Sequence, residues 1–268
     1  MIAIMKRNLR LFFRDRTAVF FSLLGVFIII GLYVLFLGDL MVQGMEDVSG
    51  VRFLMDSWIM AGLLAVTSIT TTMGAFGVMV DDRTKKILKD FSASPLRRRS
   101  LAAGYIASSC LVGIIMSLLA LVLAEGYVVL SGGALLPWDA LIKVIGCALL
   151  AVLANSAMVF FIVSFLKSQS AFATASTVLG TLVGFLTGIY IPIGTLPEAV
   201  QTIVKIFPVS HAGALLRQIM MEVPMAEMGV IYSFGSQEVS ALASILVLVA
   251  TAGLFYGLAI INLSRKGK

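Results

Sequence analysis

Six long stretches of this chain run almost without charge, over residues 17–37, 58–80, 101–130, 141–166, 170–191 and 240–263. A helix needs about 20 predominantly apolar residues to cross the hydrocarbon of a bilayer. Lipid offers the backbone no hydrogen-bond partners, so such runs must pair their own amides within a helix. All six prolines (Pro95, Pro137, Pro192, Pro197, Pro208, Pro224) fall between the runs, where they break no helical ladder. The first run follows a long basic stretch and has no small-residue cleavage site, so it reads as a permanent span and not a signal peptide. The expectation is an all-α integral membrane protein with six spans, forming one domain over 1–268.

Composition agrees. Apolar residues make up 60% of the chain and charged ones 13%, against about 25% charged in a soluble domain. A soluble fold could not cover its surface with so little charge. The net charge of +6 could suggest nucleic acid, but the charges are sorted by membrane side. Sixteen of the 20 Lys and Arg lie before the first run, between the second and third, just after the fourth, or at the C-terminus. Only Arg52, Lys143, Lys205 and Arg217 lie on the other side, while most acidic residues show the opposite bias. The positive-inside rule then puts both termini and the second-to-third loop in the cytoplasm of a multi-pass cell-membrane protein, with lipid and not nucleic acid around it. Cys110 and Cys147 sit within apolar runs as small packing residues; with no CxxC and one histidine, no disulfide framework or metal site is expected.

Between the runs, two segments have their own pattern. Within 1–16, Ile2, Met5, Leu9, Phe12 and Phe13 follow helical spacing, with Lys6, Arg7, Arg10 and Arg14 on the other face. This predicts a helix lying in the headgroup region. The segment 81–100, DDRTKKILKDFSASPLRRRS, predicts a short amphipathic helix. Asp81 or Asp82 can cap its start, Ile87, Leu88 and Phe91 form an apolar patch, and Pro95 stops it. It reads either as a hairpin lying on the headgroups or as a docking knob for a cytoplasmic partner.

Here the chain resembles the ABC-2-type exporter permeases. The resemblance rests on Asp82-Arg83-Thr84, then Ile87-Leu88, then Ser94-Pro95-Leu96-Arg97-Arg98, with Arg83 standing where many members have glycine. It also rests on the segment 191–220, interrupted at Pro192, Pro197 and Pro208, with Pro208, Ser210 and His211 matching a Pro-x-Ser-His turn. The pieces between those prolines are too short to span and suit re-entrant or interfacial positions. The resemblance implies an interfacial N-terminal helix, a coupling helix over 81–100 and an outer re-entrant hairpin over 192–224. It implies that Asp82, Arg83, Lys85, Lys86, Ile87, Leu88 and Phe91 meet a separate ATP-binding subunit. That subunit would hold ATP and Mg, since no GxxxxGK[ST] string occurs in this chain. A second permease copy, identical or related, would complete the pathway for a lipid, drug, glycan or peptide.

Within the spans, Ser176, Gly180, Gly184 and Gly188 place a small residue at every fourth position of the fifth run, which allows a close helix approach within the subunit, at a dimer seam or along a substrate path. Thr67, Thr70 and Thr71 of the second run could line a polar path or bond back to their own helix. Glu125 is the one carboxylate within the runs as delimited, and Asn155 the one asparagine of the fourth; both are candidate intramembrane polar groups. The rival readings are an ion-coupled secondary transporter and an intramembrane enzyme. The first is disfavoured by breaks at the outer edge and a nearly uncharged midplane. The second lacks a Ser–His pair, a metal-ligand cluster or a carboxylate dyad.

Overall fold

The computed structural model describes residues 1–43, 50–93, 98–191, 193–228 and 240–265. These residues form helices without strands. They are α1 (Ile2–Arg14), α2 (Arg16–Leu32, continuing through a π turn at Tyr33–Leu37), α3 (Gly38–Val42), α4 (Val51–Thr84), α5 (Ile87–Ala93), α6 (Arg98–Leu130), α7 (Trp138–Phe165), α8 (Gln169–Leu186), α9 (Glu198–Val204), α10 (Pro208–Met220), α11 (Glu222–Met228) and α12 (Ala241–Arg265). Six of them are long and apolar enough to cross a membrane: α2 with its π turn, α4, α6, α7, α8 and α12. The protein is an all-α integral membrane protein.

α4 is the hub, packed against α2, α6, α7, α8 and α10. Its buried residues include Ala61, Gly62, Ala65, Thr67, Ser68, Thr71 and Thr72, small groups that let neighbouring helices approach. None of its large hydrophobic residues is exposed. The outer helices show the reverse: Phe20, Phe21 and Phe27 on α2, Val178 and Leu182 on α8, and Leu246 and Leu254 on α12 all point outward. Surfaces of that kind belong in lipid or against another apolar chain. Polar ties join the helices. Asn155 of α7 donates to Ser68 Oγ at 2.7 Å, Ser109 of α6 donates to the Thr72 carbonyl at 3.1 Å, and His211 of α10 meets Ser244 of α12 at 3.2 Å.

Several boundaries move. The second run, 58–80, belongs to a helix of 34 residues that starts at Val51 and passes the charges at 81–83. The fifth, 170–191, stops at Leu186 in a Schellman turn: Ile189 N–H bonds the Gly184 carbonyl and Gly188 N–H bonds that of Phe185, both at 3.0 Å. Gly188 has φ +72°, so it ends the helix and is not the fourth member of a packing stripe. Gly188→Ala is expected to cost about 1 kcal/mol for a side chain in the left-handed region, visible as a lower apparent melting temperature in detergent. The segment 192–224, expected as a re-entrant hairpin, folds over its described residues as a short 3-10 turn, then α9 and α10, which meet at 90°, and the start of α11, a bend compatible with a re-entrant loop.

α1 also differs from its predicted face. The stripe that it buries, against α6, is Ile4, Asn8 and Phe12, while Ile2 and Phe13 are exposed. Gly104 explains the choice, since a Cβ there would stand 2.8 Å from Ile4 Cγ2. Asn8 is tolerated because it donates to Ser108 Oγ at 3.3 Å and accepts from Arg7 at 3.0 Å.

Candidate functional site

At the basic end of the bundle, α4 runs on past its apolar core and ends at Thr84. The chain turns sharply at Lys85 and Lys86, the latter with φ 63°, and α5 begins at Ile87. A lysine in that region of backbone space is uncommon and has to be held there by its surroundings. Asp81 and Asp82 therefore do not cap the start of the short helix. They lie in the last turn of α4.

Asp82 is buried, not displayed for docking. Arg7 of α1 grips it with both guanidinium arms, Nη1 to Oδ2 at 2.5 Å and Nη2 to Oδ1 at 2.8 Å, and Tyr105 of α6 donates to Oδ2 at 2.5 Å. The bidentate fork is the geometry that arginine offers a carboxylate. Hydrogen bonding to Asp82 raises the Arg7 pKa above its ordinary value, so this guanidinium stays charged. The same group lies 5.4 Å from the centre of the Phe91 ring on α5. Arg7 thus touches α1, α4 and α5 together. The sequence puts it only on the basic face of an interfacial helix, because a pair 75 residues apart leaves no local pattern.

Arg83 is also occupied. It donates to the carbonyls of Val163, at 3.3 Å, and Leu166, closing the C-terminus of α7. Asp81 accepts from Gln169 at the start of α8 and pairs with Lys85 at 3.0 Å. Ile87, Leu88 and Phe91 are half-buried and not a free apolar patch; Leu88 packs on the core beneath it. Of the seven residues expected to meet the ATP-binding subunit, Lys85 and Lys86 at the tip of the turn are the exposed ones. Ser94 to Arg97 lie outside the described residues.

The candidates within the spans scatter. Thr67 and Thr71 are buried and bond back to Leu63 and Thr67 carbonyls at 2.8 and 2.6 Å; Thr70 does the same to Val66 at 3.0 Å but is half-buried. Self-satisfied hydroxyls of this kind bend a helix slightly and need no pathway. On α8, Gly184 receives the chain's own Tyr190 ring, whose Cε2 would lie 2.0 Å from an added Cβ, whereas Gly180 has open space beside it. Ser176 has a buried hydroxyl without a partner. The four small residues do three different jobs. Glu125 bends back to accept from the Leu136 amide at 3.1 Å, securing the turn between α6 and α7. Asn155 Nδ2 is spent on Ser68, but its Oδ1 has no partner.

One buried carboxylate escaped the sequence reading. Asp56 is 1% exposed and accepts from Tyr127 at 3.4 Å, near Arg52, which pairs with Asp39 at 3.1 Å. It lies two residues before the apolar run that starts at Trp58. A helical continuation through Leu54, Met55 and Ile59 was the available signal.

Residues 39–261 match the family model described as ABC-2 family transporter protein. The chain belongs to that family. No curated protein matches it. Membership makes it the membrane subunit of an ABC transporter, of a family whose domains are transport subunits lacking the ATPase motif and normally work with an ATP-binding subunit. Among the described residues no group of three or more His, Cys, Asp or Glu side chains could hold a metal.

Proposed function

We propose that this chain is the permease of an exporter, that α5 is its coupling helix, and that Lys85 and Lys86 meet an ATP-binding subunit carrying ATP and Mg. The supporting observation is the shared grip of Arg7 on Asp82 and Phe91. A push on α5 bears on α4, which it contacts, on the core through Leu88 and, through Arg7, on α1. α4 is packed on most of the other helices, α2, α6, α7, α8 and α10 among them, so its tilt would be felt across the subunit. Packed helices move as rigid bodies between discrete arrangements, which suits alternating access driven by closure of two motor subunits. The outward apolar faces of α2, α8 and α12 leave surface for lipid and for a second copy, identical or related. The bias of basic residues supports a cytoplasmic position for this end and for both termini of a cell-membrane protein. The cargo class is a lipid, drug, glycan or peptide moved outward.

Co-purification tests this reading. Extracted in mild detergent, the chain should bring down a soluble ATPase of the ABC type. The double charge reversal Lys85→Glu, Lys86→Glu should weaken that association about tenfold or more, as expected when several interfacial charge pairs become repulsions. The variant protein should still elute as folded material, because both side chains are exposed. Full transport by the chain with no ATPase present would overturn the proposal, as would labelling of Lys85 from outside the cell.

A further inference from the structure

Arg7 spends its guanidinium on a carboxylate and Arg83 on two backbone carbonyls. Arg217, in the third turn of α10, leaves one buried arm of its guanidinium without an acceptor. Its guanidinium carbon lies 4.1 Å from the centre of the Trp58 ring, and Nε donates to the Trp58 carbonyl at 3.4 Å. Nη2 is buried and has no acceptor, and no carboxylate among the described residues forms an ion pair with this side chain. Space for it comes from an absent side chain: a Cβ on Gly62 of α4 would stand 2.9 Å from Nη2. On the same face of α10, two turns earlier, the Ser210 hydroxyl is likewise buried without a partner. Gly213 lies between them, where a Cβ would be 3.9 Å from Arg217 Nη1.

A buried cation without an anion is costly. The Trp58 face holds the cation in place but does not neutralise it. What suits a planar fork with a free arm is an oxyanion taken in two-point fashion. Trp58 and Arg217 lie towards the start of α4, far from Asp82 and α5 along the same helix. We propose that Arg217, backed by Trp58, is a binding site for an oxyanion of the phosphate type between α4 and α10, at the end of the bundle remote from the coupling turn. The phosphate belongs either to a net-anionic lipid headgroup or to a soluble ion.

Trp58 reports on its own site. The chain has two tryptophans, and the other, Trp138, is exposed, so Trp138→Phe leaves a single indole beside Arg217. The full chain in phosphatidylcholine nanodiscs is examined by fluorescence with rising fractions of phosphatidylglycerol, and separately with inorganic phosphate. The expected result is a saturable change in Trp58 emission whose midpoint moves about tenfold or more in Arg217→Gln. A response to phosphatidylglycerol alone assigns the site to a headgroup. A response to inorganic phosphate assigns it to a soluble anion. Absence of an Arg217-dependent response to both probes overturns the proposal. If Arg217→Gln does not fold, Arg217→Lys carries the test, since it keeps the charge and loses the fork; an unchanged midpoint there also overturns it. No motor subunit takes part, so this test fails or succeeds independently of the exporter reading.

Discussion

Arg7→Ala is expected to lower the stability of the protein by about 2 kcal/mol or more. Removing one member of a fully buried ion pair costs about 3–5 kcal/mol, because the other is left charged and unsolvated. Asp82 fits that description, with its side chain 3% exposed, whereas Arg7 is 32% exposed and its loss admits some water. The sign of a second variant makes the argument specific. Arg7→Ala with Asp82→Asn removes the stranded charge and keeps an acceptor for the Tyr105 hydroxyl, so it should be more stable than Arg7→Ala alone. Thermal unfolding of the three proteins in one detergent measures this. Equal melting temperatures for the single and double variants would show that the pair is not held in a desolvated site. Loss of the pair also removes the polar tie between α1 and α4, so under the proposed coupling route the double variant should couple poorly to an ATP-binding subunit even though it folds.

The second large effect is expected at Gly113. An added Cβ would lie 2.7 Å from Thr72 Cγ2 on α4 and 2.8 Å from Val152 Cγ1 on α7, and both of those residues are fully buried. Three spanning helices meet at this point. Overfilling a well-packed core costs about 1–3 kcal/mol, occasionally more, and Gly113→Val belongs at the upper end because neither neighbour has room to turn away. Gly126 provides the control, since it lies on the same helix with nothing within 4 Å of its Cβ position. Gly126→Ala should be neutral or gain a few tenths of a kcal/mol from helix propensity. Resistance to unfolding by SDS, measured for both, decides the matter: similar curves would mean that α4, α6 and α7 do not approach as closely as described.

The two sites also show what could be read in the chain and what could not. Six spans were legible because solvation by lipid is a local property; twenty consecutive apolar residues declare it without reference to any other part of the chain. The family resemblance was legible for the same reason, through short patterns near 81–100 and 191–220. Helix faces were a different matter. Asp82 and Arg83 looked like exposed loop charges, because a charge at the end of an apolar run ordinarily marks the water boundary. In the fold, each found a partner on another helix, Arg7 from α1 and the open end of α7. The small residues of the fifth run looked like one stripe, yet a Schellman turn, a tyrosine ring and an open surface divide them.

The sequence alone thus determined that this chain lives in a bilayer as a set of six helices, and which end of each carries the positive charge. Tertiary structure alone decided that α4 lies at the centre, that Asp82 is buried beneath Arg7, and that Arg217 has no carboxylate partner among the described residues. The reason is that burial within lipid is set residue by residue along the chain. Pairing between helices depends on contacts such as Asn155 with Ser68, 87 residues apart, and no local pattern encodes those.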